Sequence, residues 1–231
     1  MSRAARCAVI PALDEEASIA EVVADAHVST DEVIVVDNGS TDATAARAAA
    51  AGARVVSQPL RGYGAACLAG AHAAAPGALL LFLDGDGSDD PAALARVAGP
   101  VLAGDADLVL GSRTGGRRRR GVLPAHQRAG NRAALGISGR LWGLELTDLG
   151  PLRAIRRTDL LALDMRSRTY GWPLEMVIKA ARAGLRIAEV PVQARPRTAG
   201  RSKVSGSLAA SVRTAARFSE VLVRQGVSSR R

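Results

Sequence analysis

Two cysteines, two lysines and six aromatic rings are all that 231 residues contain of those types, and no apolar run nears the ~20 residues that span a bilayer. Cys7 and Cys67 stand far apart inside apolar stretches, which excludes a disulfide framework or a paired-thiol metal site and leaves them as small buried hydrophobes. So few rings exclude an aromatic stacking platform for single-stranded nucleic acid, although a formal charge of +9 invites an anionic partner. Lys179 and Lys203 are the only lysines, so the surplus is arginine, which keeps its charge and grips phosphate through two parallel hydrogen bonds. The opening Met-Ser-Arg runs straight into CAVIPAL, too short for a secretory signal, and the expected location is cytoplasmic, with peripheral contact on the inner membrane face allowed.

What is present is 48% hydrophobic, enough for one substantial core. With few rings, Ala, Leu and Val must fill it, which predicts tight helix-on-sheet packing. CAVIPA (7–12), EVIVVD (32–37), 54–58, ALLLFL (78–83) and 107–111 read as strands. Between them, Ile19, Val22, Val23 and Ala26 fall on one helical face, and an Ala-rich helix capped by Thr41 or Asp42 stops at Gly52. Segments 64–75 and 91–102 complete the alternation. Strand and helix in turn predict a mainly parallel sheet covered on both faces, with ligands beyond the carboxyl ends of its strands. The second half is less regular: an RTGGRRRRG loop (113–121), a helix over 125–142, a turn at 148–151, a helix over 170–184, a strand over 187–192 and a polar loop over 193–206. Residues 1–206 form the expected domain. An amphipathic helix begins at 207, with Leu208, Val212, Ala215 and Leu222 on one face and Arg213, Arg217, Glu220 and Arg224 on another.

Chemistry concentrates at three strand ends. In LDGDGSDDP (83–91), Asp84 and Asp86 follow the most apolar strand, and desolvated carboxylates need a compensating cation. Hard oxygen donors at this spacing suit Mg2+ or Mn2+, which also take diphosphate oxygens. The plainer alternative is an acidic turn capping the helix at Pro91, a duty assigned to Asp89 and Asp90. In VVDNGSTD (35–42), Asp37 can accept hydrogen bonds from a base or ribose, or the segment is only a turn. PALDEE (11–16) adds an acidic first loop.

In this order the motifs resemble the family 2 glycosyltransferases of the GT-A fold, whose first loop, D-D-G-S-x-D turn and D-x-D motif match Pro11–Glu16, Asp37–Asp42 and Asp84–Asp86. Leu60-Arg61-Gly62-Tyr63-Gly64 resembles the family's N-x-G-x-G segment, and Gly111-Ser112-Arg113 its G-S-R. Asp148, Arg153, Glu175, Glu189-Val190-Pro191-Val192, Arg197 and Gly200-Arg201-Ser202-Lys203 resemble the polyprenyl-phosphate (dolichyl-phosphate) mannosyl- and glucosyltransferases. Three positions depart: Asn38 for a second Asp, Ser88 for a Gln, and Gly150-Pro151 for S-G.

The resemblance implies inverting transfer from a nucleotide sugar of the GDP-mannose or UDP-glucose type to an acceptor, a polyprenyl phosphate or alternatively a hydroxyl. Asp84 and Asp86 would hold the metal. Pro11, Leu13, Glu15, Asp37, Gly62 and Gly85 would hold the donor, and Arg197, Ser202 and Lys203 would close over its diphosphate. Arg113 and Arg132 would grip an acceptor phosphate, and Asp148 would be the base for a hydroxyl. Arg117–Arg120 form a solvated loop or meet anionic headgroups. Trp142 and Trp172 stack on a sugar or pack in the core. Three rivals are weaker. An oxidoreductase would need its glycine fingerprint after the first strand, where Gly62-x-Gly64-x-x-Cys67 does not lie. A nucleotidyltransferase would need a Gly- and Lys-rich loop in place of PALDEE, and a non-catalytic nucleic-acid binder would need a recognisable motif.

Overall fold

The computed structural model describes residues 4–113, 125–193, 195 and 218–225; within helix 125–142 the side chains of 125–132 and 134 are outside the description. In chain order the elements are β1 (Arg6–Ala12), α1 (Ile19–His27), β2 (Glu32–Asp37), α2 (Thr44–Ala50), β3 (Arg54–Ser57), α3 (Tyr63–Ala73), β4 (Leu79–Phe82), a 3₁₀ turn (Pro91–Ala93) leading into α4 (Leu94–Ala103), β5 (Leu108–Ser112), α5 (Ala125–Trp142), β6 (Arg153–Arg156), α6 (Arg157–Ala162), α7 (Trp172–Arg182) and β7 (Ile187–Pro191). Residues 218–225 are helical as well.

The strands form one seven-stranded sheet in the order β3-β2-β1-β4-β6-β5-β7. All neighbours are parallel except at β6, which runs antiparallel to both β4 and β5. Strand alternation splits the core into two layers. Val9, Ile34, Val36, Leu80 and Phe82 face α3 and α7, while Ala8, Ile10, Val33, Val35, Leu79 and Leu81 face α1, α2 and α4. Strands β1, β2 and β4 are therefore apolar on both sides, which is why their runs read as continuous. The face of α1 bearing Ile19, Val22, Val23 and Ala26 is the buried one.

The scarcity of rings shows in how closely α3 lies on the sheet. A Cβ on Gly70 would stand 2.4 Å from Val9 Cγ1 and 3.0 Å from Val36 Cγ2. Gly70→Ala therefore overpacks the seam. It is expected to cost about 1–3 kcal/mol, or roughly 2–12 °C of unfolding temperature for a domain of this size, read by thermal denaturation.

Differences from the sequence reading have identifiable causes. Segment 91–102 divides into the 3₁₀ turn and α4, because Asp90 caps at Ala92 N (3.2 Å) while Asp89 instead accepts from Asp84 N (3.0 Å). Asp42, not Thr41, serves α2, its Oδ1 accepting from Thr44 N at 2.9 Å. Strand β6 and helix α6 were not foreseen: R-A-I-R puts the fully buried Arg153 where an apolar residue is expected. In the C-terminal helix Val221 is buried, and Phe218 and Leu222 pack on the α3–α7 core layer, so this end rests on the domain. Glu220 and Arg224 are exposed, as expected for the polar face. Among the described residues no helix is long and apolar enough to cross a membrane.

Candidate active site

Three loops meet at the carboxyl rim, and side-chain hydrogen bonds to backbone stitch them together. After β1, Asp14 takes a left-handed conformation (φ +48) tolerable for Asp. Its Oδ1 accepts from Thr41 N (2.8 Å), while its own N donates to Ser40 Oγ (3.0 Å). Glu15 N donates to Thr44 Oγ1 (2.8 Å), and Glu16 N to Asp42 Oδ2 (3.2 Å). At the end of β2, Asp37 pairs in register with Ala12 and accepts from Ser40 N (3.1 Å). The PALDEE and VVDNGSTD segments therefore make one surface. The Asp84–Asp86 turn joins it through Ser18 Oγ, which donates to Gly85 O (2.8 Å). A Cβ on Gly85 would come within 3.3–3.5 Å of Ile19, Ile10 and Ala12, so the turn lies flat on the first strand and helix.

Charge is concentrated in that turn. Asp86 and Asp89 are buried, and Asp84 Oδ1 is buried with no hydrogen-bond partner among the described residues. Burial first, then the charges of Asp86 and Asp89, push the Asp84 carboxyl well above the usual carboxylate range. Burial likewise pushes Asp89 up to about 6, against the pull of Asp84 N–H and Arg113. Asp86 Oδ1 accepts from Ser88 N (2.8 Å). An orphaned carboxylate oxygen among like charges is the environment a divalent cation relieves, so Asp84 and Asp86 fit a hard metal ion. Among the described residues no three His, Cys, Asp or Glu close a protein-only metal cage.

On the other side of β4 lies a chain of charge. Arg113, at the exit of β5, forms a two-pronged pair with Asp148 (Nε–Oδ2 2.7 Å, Nη2–Oδ1 2.9 Å), and its backbone N donates to the same carboxylate. Burial alone would raise Asp148, but the Arg113 hydrogen bonds and charge hold it below the ordinary range. Glu189 on β7 in turn fixes the backbone of Thr147 and Asp148, accepting from both amides and from Thr147 Oγ1 at 2.9–3.1 Å. Glu175 orders the loop after α6 by accepting from Arg166 N and Ser167 N and pairing with Lys179. That loop presses on Gly62 and Gly64, where a Cβ would lie 2.2 Å from the carbonyl oxygens of Arg168 and Ser167.

Three side chains near the site were not singled out for it. Arg153 is fully buried and donates to Gly150 O (2.6 Å) and Pro173 O (3.2 Å), bringing a cation behind Asp84. Arg195 ties the end of β7 to the acidic turn, N to Ser88 O (2.8 Å) and Nη2 to Asp90 (2.8 Å). Asn38, met in the sequence only as a departure, spans two loops. Trp172 is fully buried against Phe82 and Tyr63, so it packs in the core rather than on a sugar; Trp142 is partly buried on the same layer. Arg117–Arg120, Arg197, Ser202 and Lys203, and the side chain of Arg132, lie outside the described residues.

A family model described as Glycosyl transferase family 2 matches residues 7–162. An uncharacterized glycosyltransferase of Mycobacterium tuberculosis is 42% identical over 211 residues, 88% of this chain and 91% of that one. A polyprenol monophosphomannose synthase of Mycolicibacterium smegmatis is 33% identical over 219 residues, 86% and 80% of the two chains. Among solved structures, glucosyl-3-phosphoglycerate synthase from M. tuberculosis, in complex with Mn2+, UDP-glucose and phosphoglyceric acid, matches with a TM-score of 0.77 and 29% identity over 96% of this chain and 79% of that one.

Proposed function

The chain belongs to glycosyltransferase family 2 and has the GT-A fold, and on that premise we propose that it moves a hexose from a nucleotide sugar of the GDP-mannose or UDP-glucose type to a polyprenyl phosphate at a membrane surface, inverting the anomeric carbon. The observation that carries this reading is the buried Asp84 Oδ1, which has no hydrogen-bond partner among the described residues, beside Asp86 at the sheet rim. Asp84 and Asp86 would hold Mg2+ or Mn2+, and the ion's chemistry is to neutralise charge on a departing nucleoside diphosphate. Asp37, with Pro11, Leu13 and Glu15, lines the nucleoside side of the rim. Gly62 and Gly85 would offer backbone to the donor, their missing side chains making room for Arg168 O and for Ile19, Ile10 and Ala12 respectively, and Arg197, Ser202 and Lys203 would close over the diphosphate.

Arg113 grips the acceptor phosphate, and Arg132, whose side chain is outside the described residues, is proposed as a second phosphate ligand. A phosphate is already ionised near neutral pH and needs no strong base. This suits Asp148, whose carboxylate is engaged by Arg113 and is a weak proton acceptor; its part is to aim the guanidinium. The name of the M. smegmatis relative supports the lipid acceptor. The phosphoglyceric acid in the solved neighbour supports a second reading, a soluble hydroxyl acceptor that also carries an anionic group for Arg113.

Thermal-shift titration with GDP-mannose, UDP-glucose and UDP-N-acetylglucosamine, with and without Mn2+, tests the donor. One nucleotide sugar is expected to raise the unfolding temperature in a metal-dependent way, since a ligand at 100 times its Kd adds about 2.7 kcal/mol. The selected donor is then offered to polyprenyl phosphate in vesicles and to soluble phosphorylated alcohols. Product on the lipid supports the first reading and product only on the alcohol supports the second. No shift with any nucleotide sugar would count against both.

A further inference from the structure

We propose that Asn38 is a positioning residue for the donor, its side-chain amide setting the height of the 58–62 loop against the nucleotide site. The residue is buried. Its Nδ2 donates to Gln58 O (2.8 Å) and Leu60 O (2.9 Å), and its Oδ1 accepts from Gly62 N (2.7 Å). The opposite amide orientation would set oxygen against two carbonyls and NH₂ against an N–H, so the three contacts fix the assignment. One side chain thus satisfies three backbone groups of the segment that leads from β3 into α3.

Apart from Asn38, and from the loop after α6 that packs against Gly62, the segment is held by few contacts. Arg61 Nη2 donates to Gly39 O (3.0 Å), Gln58 N to Asp37 O (2.8 Å), and Leu60 N to Gln58 Oε1 (3.1 Å). Leu60 is 62% exposed, so little apolar burial anchors the loop. On one side the loop rests on the turn after Asp37. On the other it enters α3, whose first residue, Tyr63, feels the Asp84 charge. Its height therefore sets the gap between the nucleoside side of the rim and the Asp84–Asp86 turn, the gap a nucleoside diphosphate would bridge.

The chemistry at position 38 is specific. A carboxylate can accept from Gly62 N, but it sets negative charge against the carbonyl oxygens of Gln58 and Leu60, with no N–H to offer them. The loop then has to rise from the rim. A Ser hydroxyl supplies one donor and one acceptor and falls between the two. The Asn at this position, where the family often carries Asp, makes this loop's seat independent of any charge.

This inference rests on the nucleotide-sugar reading, and the test separates the two. UDP and GDP, each with Mn2+, are titrated calorimetrically into wild type, Asn38→Asp and Asn38→Ser at 15 °C, alongside thermal unfolding and hydrogen exchange of segment 58–64. Wild type is expected to bind one of the nucleotides, with exchange in 58–64 slowed on binding. Asn38→Asp is expected to bind at least tenfold more weakly, with fast exchange in 58–64 whether or not nucleotide is present. Asn38→Ser should lie between and keeps the test open if the Asp variant does not fold. A folded variant that binds as tightly as wild type overturns the proposal, as does weakened binding with exchange in 58–64 unchanged. If wild type binds neither nucleotide, the donor reading itself fails and takes this inference with it.

Discussion

Asp86→Ala is expected to lower sugar transfer at saturating donor by about a thousandfold or more, the scale seen when a preorganised group that stabilises transition-state charge is deleted. The measurement is product formation with the donor selected by thermal shift, with Mn2+ in excess. Retained turnover would sink the two-carboxylate site. Asp84→Asn should be as inactive but move stability the other way. The Asp84 carboxyl is raised by burial and by the charges of Asp86 and Asp89. An acid raised on folding favours the folded state only while protonated, so its ionisation at neutral pH opposes folding. An amide of the same shape carries no such penalty, and the metal-free Asp84→Asn protein should unfold a few degrees above wild type.

The same logic sets a pH window. Asp89 moves from an ordinary 3.8 to about 6 on folding. Between these values the unfolded chain has lost a proton that the folded chain keeps, so metal-free stability falls as pH rises from about 4 through about 6. Asp84 extends the decline above that range. Mn2+ or Mg2+, which binds the ionised carboxylates, should flatten the profile.

Asp148→Ala is expected to cost about 3–5 kcal/mol of folding stability, because it strands the Arg113 guanidinium in a largely buried site without its partner. For a domain of this size that is roughly 6–20 °C, read by thermal unfolding. Transfer should fail with it, since the guanidinium loses its aim. Asp148→Asn keeps the shape and one acceptor and should recover much of the stability. If Asp148→Asn also kept wild-type transfer, Asp148 would be excluded as a base.

Strands β1, β2 and β4 were legible because they are apolar on both faces and each runs into a loop bearing Asp or Gly. Helix α1 was legible from its 3.6-residue periodicity. Both signals are local, and so is the Asp84–Asp86 spacing. What stayed hidden is set by contacts distant in sequence. Nothing in R-A-I-R announces that Arg153 is buried; only the fold brings the Asp148 and Asp84 charges near it. R-A-I-R then closes the sheet with a charged residue facing inward. The pair that Asp148 makes with Arg113, 35 positions earlier, has no signature in the sequence. Asn38 looked like a lost carboxylate for the same reason, since only the fold brings Gln58, Leu60 and Gly62 against it.

The antiparallel insertion of β6 between β4 and β5 has a consequence for biosynthesis. Strand β4, whose four residues are all fully buried, takes one neighbour from β1 early in the chain and the other from Arg153–Arg156. A nascent polypeptide leaving the ribosome therefore displays an open, strongly apolar ribbon edge throughout translation of the intervening segment. Such an edge is a template for intermolecular pairing.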